Sequence, residues 1–176
     1  MHRLRVLFVC TANICRSPYL ELTARGLAGD DSGVEFASAG THGFLEHEMD
    51  EVMAGTLAPG SADAFRSRRL DRTILEGADL VLTAEAHHRA FILEEYPQLF
   101  RKVFTVGQFA AFAQENPGLS GQELVTAAGS RRRTARPEHD IDDPYRRGVD
   151  AARSAADRMS SMLSVIVPAL LGGEHR

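Results

Sequence analysis

Cys10 and Arg16 are the residues of this sequence whose types and spacing first suggest chemistry, because five residues separate a thiol from a guanidinium. A cysteine acts as a nucleophile in its thiolate form, and a helix N-terminus or a nearby cation lowers its pKa. A guanidinium can hold two oxygens of a phosphate-like anion at once. Ser17 follows directly and can hydrogen-bond the thiolate, which assists it as a leaving group. Together these residues predict phosphoryl transfer through Cys10, with Arg16 stabilising charge on the phosphoryl oxygens.

The segment that carries these residues is predicted to be a tight loop between a strand and a helix. The apolar run over residues 4–9 is typical of a buried strand, and Pro18 fits the first turn of a helix, where its missing N–H costs nothing. The backbone N–H groups between them can converge on an anion. Asn13 tolerates the left-handed backbone that an inward bend requires. The residues expected to bind the anion are Thr11, Ala12, Asn13, Ile14, Cys15 and Ser17.

A proton donor for the leaving group is found far along the chain, at Asp143. Pro144 fixes the backbone after this carboxyl and can hold it over the loop, while Asp142 is predicted to be a solvated neighbour. Burial beside another carboxylate would raise the pKa of Asp143 and suit it to acid catalysis. Tyr145 offers an aromatic wall to a substrate that carries a ring.

Strands and helices alternate along the sequence, which favours an α/β fold with a parallel sheet covered on both faces. In such sheets the ligand lies at the carboxyl ends of the strands, where the loop that begins at Cys10 is predicted to be. We expect one domain over residues 1–176, with a polar, helix-bearing excursion over residues 116–140. The predicted strands are 4–9, 34–38, 78–82 and 102–106, and the predicted helices are 18–28, 49–57, 70–75, 84–95, 107–114 and 148–171.

Composition excludes several classes of protein. The formal net charge of −4 argues against a general nucleic-acid binder, and no apolar segment is long enough to span a membrane. The sequence enters a strand without signal-peptide architecture, and both of its cysteines lie inside the loop, so we expect a cytoplasmic protein without a disulfide framework. The pair His87 and His88 lacks a spaced partner, so neither a metal nor another cofactor is expected. The Arg131–Arg133 run is predicted to be a solvated face, with attraction of an acidic partner as the alternative.

The segment Cys10-Thr-Ala-Asn-Ile-Cys-Arg-Ser-Pro18 resembles the phosphate-binding loop of the low-molecular-weight protein tyrosine phosphatases. The segment Ser38-Ala-Gly-Thr41 resembles the motif after that family's second strand, and Asp143-Pro-Tyr145 resembles its general-acid motif. The resemblance covers the chain apart from residues 116–140. It implies a flavodoxin-like, four-stranded parallel sheet with no metal or cofactor, acting on a phosphotyrosine-bearing protein or a small aryl phosphate.

The same resemblance implies roles for individual residues. Cys10 forms a cysteinyl-phosphate, and Asp143 is the acid of the first step and the base of its hydrolysis. Asn13, Ser17 and Ser38 form a hydrogen-bond network that supports the loop. A cysteine at the position of Cys15 can form a reversible disulfide with the nucleophile and protect it from over-oxidation; from the residues alone, a buried structural thiol is an equal alternative.

Two departures from the family pattern bear on the site. The family often has a histidine and an arginine before the short central helix, where Phe65 and Arg68 stand here, so one support of the loop is predicted to be missing. The aromatic residue that lines the family's pocket corresponds to Phe44. Arg146 follows Tyr145, where the family commonly has an aromatic or small residue, which leaves the substrate preference open.

Three functions are consistent with these observations. The leading one is a protein-tyrosine phosphatase. The second is an arsenate reductase that uses an external thiol, because arsenate mimics phosphate and the chain has no third cysteine for an internal disulfide relay. The third is a phosphotyrosine-binding regulatory module, which intact Cys10, Arg16 and Asp143 disfavour. The oligomeric state is not determined by these patterns.

Overall fold

Four parallel strands form one sheet in the order β2-β1-β3-β4. The structure is a computed structural model that describes residues 3–30, 32–131 and 134–172. Arg132 and Arg133, two members of the predicted arginine run, therefore lie outside the described residues. The strands are β1 Leu4–Cys10, β2 Val34–Gly40, β3 Leu80–Thr83 and β4 Val103–Thr105.

Seven α-helices are found in the described residues, and they surround this sheet. Each of the six predicted helices is present, and a further helix lies in the excursion at the predicted start, Gly121. The helices are α1 Arg16–Ala28, α2 Glu51–Ala54, α3 Arg72–Gly77, α4 Ala86–Glu95, α5 Val106–Glu115, α6 Gly121–Ser130 and α7 Gly148–Leu171. Short 3₁₀ turns cover Pro97–Leu99 and Pro137–His139.

The largest difference from the predicted helices is α2, which has four residues where residues 49–57 were expected. The Asp50 carboxylate accepts a hydrogen bond from the Met53 N–H at 3.0 Å and so caps the helix two residues later than expected. Turns replace the helix from Gly55 onward, ahead of Pro59. In contrast, α1 begins two residues earlier than expected, at Arg16 rather than at Pro18.

Both faces of the sheet are buried, as the apolar run in β1 predicts. Val6 and Phe8 point into the larger core, which also contains side chains of α1, α5, α6 and α7. Leu7 and Val9 point into a second core that contains side chains of α3 and α4. Helices on both faces leave the strand ends as the accessible edge of the sheet, which is where parallel α/β sheets bind ligands.

The strand order places the chemistry at the middle of that edge. β1 lies between β2 and β3, so the loop after Cys10 is flanked by the segments that follow both neighbours. Cys10 is in register with Gly40 at the end of β2. The excursion returns at Ile141, whose N–H donates to the Ala84 carbonyl at 2.9 Å, and this bond fixes the chain just before Asp143.

None of the helices in the described ranges combines the length and the apolar character needed to cross a bilayer.

Leu163 of α7 is fully buried in the larger core, so we expect Leu163→Ala to lower the free energy of unfolding by about 2–5 kcal/mol. Urea unfolding followed by circular dichroism measures this change. Ser161→Ala, on the exposed face of the same helix, should change stability by less than about 0.5 kcal/mol. Equal effects of the two substitutions would contradict the assigned face of α7.

Candidate active site

The loop between β1 and α1 closes on itself through one left-handed residue. Asn13 has φ of 57°, the conformation that the sequence predicts for it. A second loop, residues 41–43, lies directly on the first: the Thr41 N–H donates to the Cys10 carbonyl and the His42 N–H to the Thr11 carbonyl, each at 2.9 Å. These bonds hold the backbone on both sides of the turn.

Two glycines make this close approach possible. A Cβ atom at Gly40 would lie 2.6 Å from the Thr11 carbonyl oxygen, and one at Gly43 would lie 2.9 Å from the Ala12 Cα. Gly43 also has φ of +95°, which other residues rarely adopt. The second loop therefore requires glycine at both positions in order to pack against the first.

The Cys10 thiol lies at the base of the loop, 3% exposed, with its Sγ 2.9 Å from the Ser17 Oγ. The Asn13 side-chain amide donates to the same Ser17 oxygen at 2.8 Å. Because that oxygen already accepts a hydrogen bond, the Ser17 hydroxyl hydrogen is available for the sulfur. A donor aimed at the sulfur stabilises the thiolate, both as nucleophile and as leaving group.

The direction of these hydrogen bonds is set from outside the loop. The Asn13 amide donates its second hydrogen to the Ser38 Oγ at 2.9 Å, and its carbonyl oxygen accepts the Arg68 N–H at 2.9 Å. Ser38 in turn donates to the buried carboxylate of Glu21. Burial raises the pKa of Glu21, whereas the Ser38 hydroxyl and Arg25 act in the opposite direction.

The support that Phe65 was expected to leave missing is supplied by other groups. Phe65 is buried in the larger core. The Asn13 side chain nevertheless has partners for its oxygen and for both of its amide hydrogens. Its partners are the Ser17 and Ser38 hydroxyls and the Arg68 N–H, and Glu21 holds Ser38 in turn. Sequence reasoning missed Glu21 although it lies one helical turn after Ser17 in α1, where a buried acid facing the loop was detectable from spacing alone.

Arg16 is 2% exposed, so its charge must be paired inside the protein. Its Nη1 lies 2.7 Å from a Glu85 carboxylate oxygen and donates to the Ile141 carbonyl, also at 2.7 Å. Its Nη2 lies 3.7 Å from the Asp143 carboxylate. The buried Nε has no hydrogen-bond partner among the described residues. A bound oxyanion would satisfy this donor, which suits the anion site predicted from the sequence.

Asp143 lies beside the guanidinium, as a proton donor for this site requires, but it is not buried. Its side chain is 51% exposed, so the burial beside another carboxylate that would suit it to acid catalysis is not found, whereas Asp142 is exposed, as predicted for a solvated neighbour. The Asp143 carboxylate accepts the Tyr145 N–H at 3.1 Å, and Pro144 is buried beneath it. A carboxyl that contacts both solvent and the arginine can exchange its proton with water between two steps.

Two aromatic side chains stand at the surface near the site. Phe44, 47% exposed, follows Gly43 and contacts the His47 ring at a centroid distance of 5.0 Å. Tyr145, 36% exposed, lies under the Arg146 guanidinium at 5.1 Å. Ile14, a predicted member of the anion-binding loop, is instead buried in the larger core, so only its backbone can take part.

Both cysteines are free thiols in the structure. Cys15 is buried in the larger core, and burial raises the pKa of its thiol, with a further contribution from Asp50. A protonated, buried thiol fits a structural role. The reversible disulfide stays a prediction.

Sequence reasoning also missed Glu85 and His88, which begin α4. His88 is fully buried, and its Nε2 lies 2.8 Å from the Thr11 hydroxyl. Burial and the nearby charges of Arg16, His87 and His42 lower the pKa of His88 to about 3. The signal available in the sequence was the position of these residues after the third strand, at the same edge of the sheet as Cys10.

Glu85, His87 and His88 bring possible metal ligands within 4.8 Å of one another. The Glu85 oxygen in this group is already bound to Arg16, and both ring nitrogens of His88 have hydrogen-bond partners. A metal ion would have to displace these contacts next to a buried positive charge. The group therefore fits an arginine clamp better than a metal site.

Comparison with known proteins points in the same direction. The family model described as "Low molecular weight phosphotyrosine protein phosphatase" matches residues 5–120. The low molecular weight protein-tyrosine-phosphatase Etp of Escherichia coli K12 is 34% identical over 106 residues, which are 59% of this chain and 70% of that protein. A protein-arginine-phosphatase of Geobacillus stearothermophilus is 29% identical over 161 residues, 90% of each chain. The solved YwlE arginine phosphatase from Geobacillus stearothermophilus superposes with a TM-score of 0.71 at 26% identity, covering 98% of this chain and 99% of the other.

The low pKa of His88 makes stability depend on pH in a defined window. The unfolded chain takes up this proton near pH 6.5, whereas the folded protein does so only at about pH 3. The stabilisation is therefore complete above pH 6.5 and is lost as the pH falls towards 3. We expect His88→Gln to reduce the slope of unfolding free energy against pH in this window, by up to about 1.4 kcal/mol per pH unit.

Urea unfolding of the wild type and the variant at several pH values measures this difference, in which the contributions of all other groups cancel. The range above pH 6.5 is the internal control, because His88 is neutral there in both the folded and the unfolded protein and the two slopes should coincide. Parallel slopes for His88→Gln and the wild type between pH 3 and 6.5 would show that His88 takes up its proton at the same pH in the folded and the unfolded protein, and would contradict the lowered pKa.

Proposed function

The chain belongs to the low molecular weight phosphotyrosine protein phosphatase family, and on that premise we propose that it hydrolyses phosphotyrosine in proteins, with Cys10 as nucleophile, Arg16 as oxyanion clamp and Asp143 as proton donor. Membership makes the chain a cysteine-dependent protein phosphatase. One observation supports the residue roles most strongly: a buried thiol and a buried guanidinium with an unpartnered Nε lie on the same anion-sized loop.

In the first step the Cys10 thiolate attacks phosphorus, and the bond from phosphorus to the substrate oxygen breaks. The negative charge on the equatorial oxygens is met by the Arg16 Nε and by the N–H groups of the loop. Asp143 gives its proton to the departing phenol oxygen. Its place 3.7 Å from the Arg16 Nη2 and in contact with solvent supports this role.

In the second step water attacks the cysteinyl-phosphate, Asp143 takes up a proton from that water, and inorganic phosphate leaves. The sulfur departs as a thiolate, which the Ser17 hydroxyl at 2.9 Å stabilises. The enzyme returns to its starting protonation state, because Asp143 loses one proton in the first step and recovers one in the second.

Depth and aromatic walls support phosphotyrosine over phosphoserine. Cys10 and Arg16 are almost fully buried, whereas Phe44 and Tyr145 are exposed. Phe44 follows Gly43 of the second loop, and Tyr145 lies two residues after Asp143. A tyrosyl phosphate is long enough to reach a buried thiol while its ring packs against exposed aromatic side chains. A seryl phosphate is shorter and would have to bring its own backbone close to the loop.

Phosphoarginine is the rival substrate, because a relative that matches 90% of this chain is a protein-arginine-phosphatase. Its side chain is also long, so depth alone does not separate the two substrates. Phe44 and Tyr145 favour the aryl group.

The relatives described above are phosphatases, and this favours hydrolysis over arsenate reduction and over binding without turnover. As part of the proposal we place the enzyme in the cytoplasm, where free thiols persist; cell fractionation that finds it elsewhere would contradict this placement.

Cys10→Ser should lower turnover of p-nitrophenyl phosphate by about 10⁴-fold or more, because a serine hydroxyl is a much weaker nucleophile than a thiolate. Cys15→Ser is the matched control and should keep activity within about tenfold, since burial makes Cys15 a poor nucleophile.

A panel of phosphotyrosine, phosphoserine and phosphoarginine peptides, together with arsenate in the presence of a thiol, tests the substrate. Wild-type turnover in Cys10→Ser would disprove the mechanism, and preferred phosphoarginine hydrolysis would disprove the substrate.

Asp143→Asn should lower turnover of phenyl phosphate by about 10²–10⁴-fold, because this leaving group needs a proton. The loss should be much smaller with p-nitrophenyl phosphate, whose leaving group departs readily as an anion. Asp142→Asn is the matched control and should have little effect on either substrate. Steady-state kinetics on both esters measure the contrast, and equal losses on both would remove Asp143 from the role of general acid.

A further inference from the structure

We propose that His88 is a positioning residue. It binds Thr11 of the nucleophile loop and the backbone of Glu85, whose carboxylate binds Arg16, and so keeps the loop and the arginine at a fixed distance from each other. This inference rests on the proposed function, because its main readout is turnover. It adds a residue from α4 that neither contacts the substrate nor belongs to the loop.

The contacts of His88 determine which of its nitrogens carries the proton. The Glu85 backbone N–H donates to the His88 Nδ1 at 3.1 Å, so this nitrogen must be an unprotonated acceptor. In the neutral ring the proton then lies on Nε2. Nε2 is 2.8 Å from the Thr11 Oγ1 and donates to it. A single neutral tautomer satisfies both contacts.

The two ends of this bridge lie next to the reacting groups. Thr11 directly follows Cys10 in the chain. Glu85 holds the Arg16 Nη1 with its carboxylate, at 2.7 Å. The imidazole therefore connects the residue after the nucleophile to the residue that orients the guanidinium. A small shift of its ring would change the distance between the sulfur and the clamp, and catalysis is sensitive to such shifts.

The surroundings of the ring keep it in the neutral form that the bridge requires. His88 is fully buried, and the His87 ring lies 4.0 Å away, centroid to centroid. Protonation would place a second buried positive charge near Arg16 and would remove the acceptor for the Glu85 N–H. The same arguments explain why burial and nearby cations lower its pKa.

A histidine that only filled core volume would behave differently from a positioning residue. Its replacement by an apolar side chain would cost stability but would leave turnover of the folded fraction intact. Its effect would also be independent of Thr11. A positioning residue loses kcat in the folded enzyme, and its effect depends on the hydroxyl that it holds.

The test compares His88→Leu, His88→Gln, Thr11→Val, Thr11→Ser and the double variant His88→Leu/Thr11→Val. Steady-state kinetics with p-nitrophenyl phosphate are measured well below each variant's melting temperature. We expect His88→Leu to lower kcat by about 10–100-fold, with a smaller change in KM. His88→Gln, whose amide can still donate to Thr11, should recover at least about tenfold of that loss. Thr11→Val should lower kcat, and Thr11→Ser should be faster than Thr11→Val because it keeps the hydroxyl. The double variant should be no slower than His88→Leu.

A second readout does not depend on turnover. The rate at which iodoacetate alkylates Cys10, followed by mass spectrometry of the peptide, should be lowered by inorganic phosphate in the wild type. We expect this protection to need at least about tenfold more phosphate in His88→Leu and in Thr11→Val, because the clamp and the loop no longer meet the anion together. Unchanged kcat and unchanged phosphate protection in folded His88→Leu would overturn the proposal. It would also be overturned if the loss of kcat in the double variant equalled the product of the losses in the two single variants.

The two proposals fail in different ways. If wild-type protein does not hydrolyse any aryl phosphate, the proposed function fails, whatever the His88 variants do. If the wild type is active and phosphate-protected while Thr11→Val and His88→Leu match it, only the role of His88 fails. If His88→Leu does not fold, the comparison of Thr11→Val with Thr11→Ser tests the same hydrogen bond, because these variants remove or keep the hydroxyl that His88 binds.

Discussion

A guanidinium charge almost completely removed from water, at Arg16, is the constraint on which the rest of this site depends. An unpaired charge at this depth would be strongly unfavourable, so several elements must send partners to it. Glu85 comes from the start of α4, the Ile141 carbonyl from the end of the excursion, and Asp143 from the segment after it. The buried Nε has no hydrogen-bond partner among the described residues. The protein thus pairs much of the buried charge itself, and the remaining donor suits the anion site proposed above.

The opposite side of the loop is organised by hydrogen-bond direction rather than by charge pairing. The Arg68 N–H can only donate and the Glu21 carboxylate can only accept, so the amide of Asn13 and the hydroxyl of Ser38 between them have one orientation. That orientation leaves the Ser17 hydroxyl hydrogen for Cys10. A site built this way needs no reorganisation when charge develops on the sulfur, because its donors already point there.

Local sequence signals were sufficient for the elements and for the residues of the loop. Apolar runs, Pro18 and the alternation of strands with helices predicted the sheet and the α-helices of the described residues, including one inside the excursion, and Asn13 has the predicted backbone conformation. What the sequence could not supply was the set of contacts between distant segments. His88 contacts Thr11, 77 residues away in the chain, and Glu85 contacts Arg16 over a similar separation, and nothing in their local pattern distinguishes them from a solvated helix start. The exposure of Asp143 was missed for a related reason, since burial depends on what packs above it. Phe65 was expected to leave the loop without one support. The Asn13 side chain nevertheless has hydrogen-bond partners from other segments, which a local pattern does not reveal.

The bond between the Ile141 N–H and the Ala84 carbonyl has a consequence for how this chain can vary. It attaches the backbone to the end of β3 immediately before the segment that carries Asp143, while the Ile141 carbonyl is held by Arg16. The position of Asp143 is therefore fixed by the sheet and by Arg16, and not by the residues between β4 and Ile141. The exposed positions of the excursion over residues 116–140 can change without moving the carboxyl, as long as α6 keeps its buried side chains in the larger core and the chain returns to the same point. The architecture thus separates a variable surface from a fixed reaction geometry, and that point of return is a natural junction for grafting other segments onto this fold.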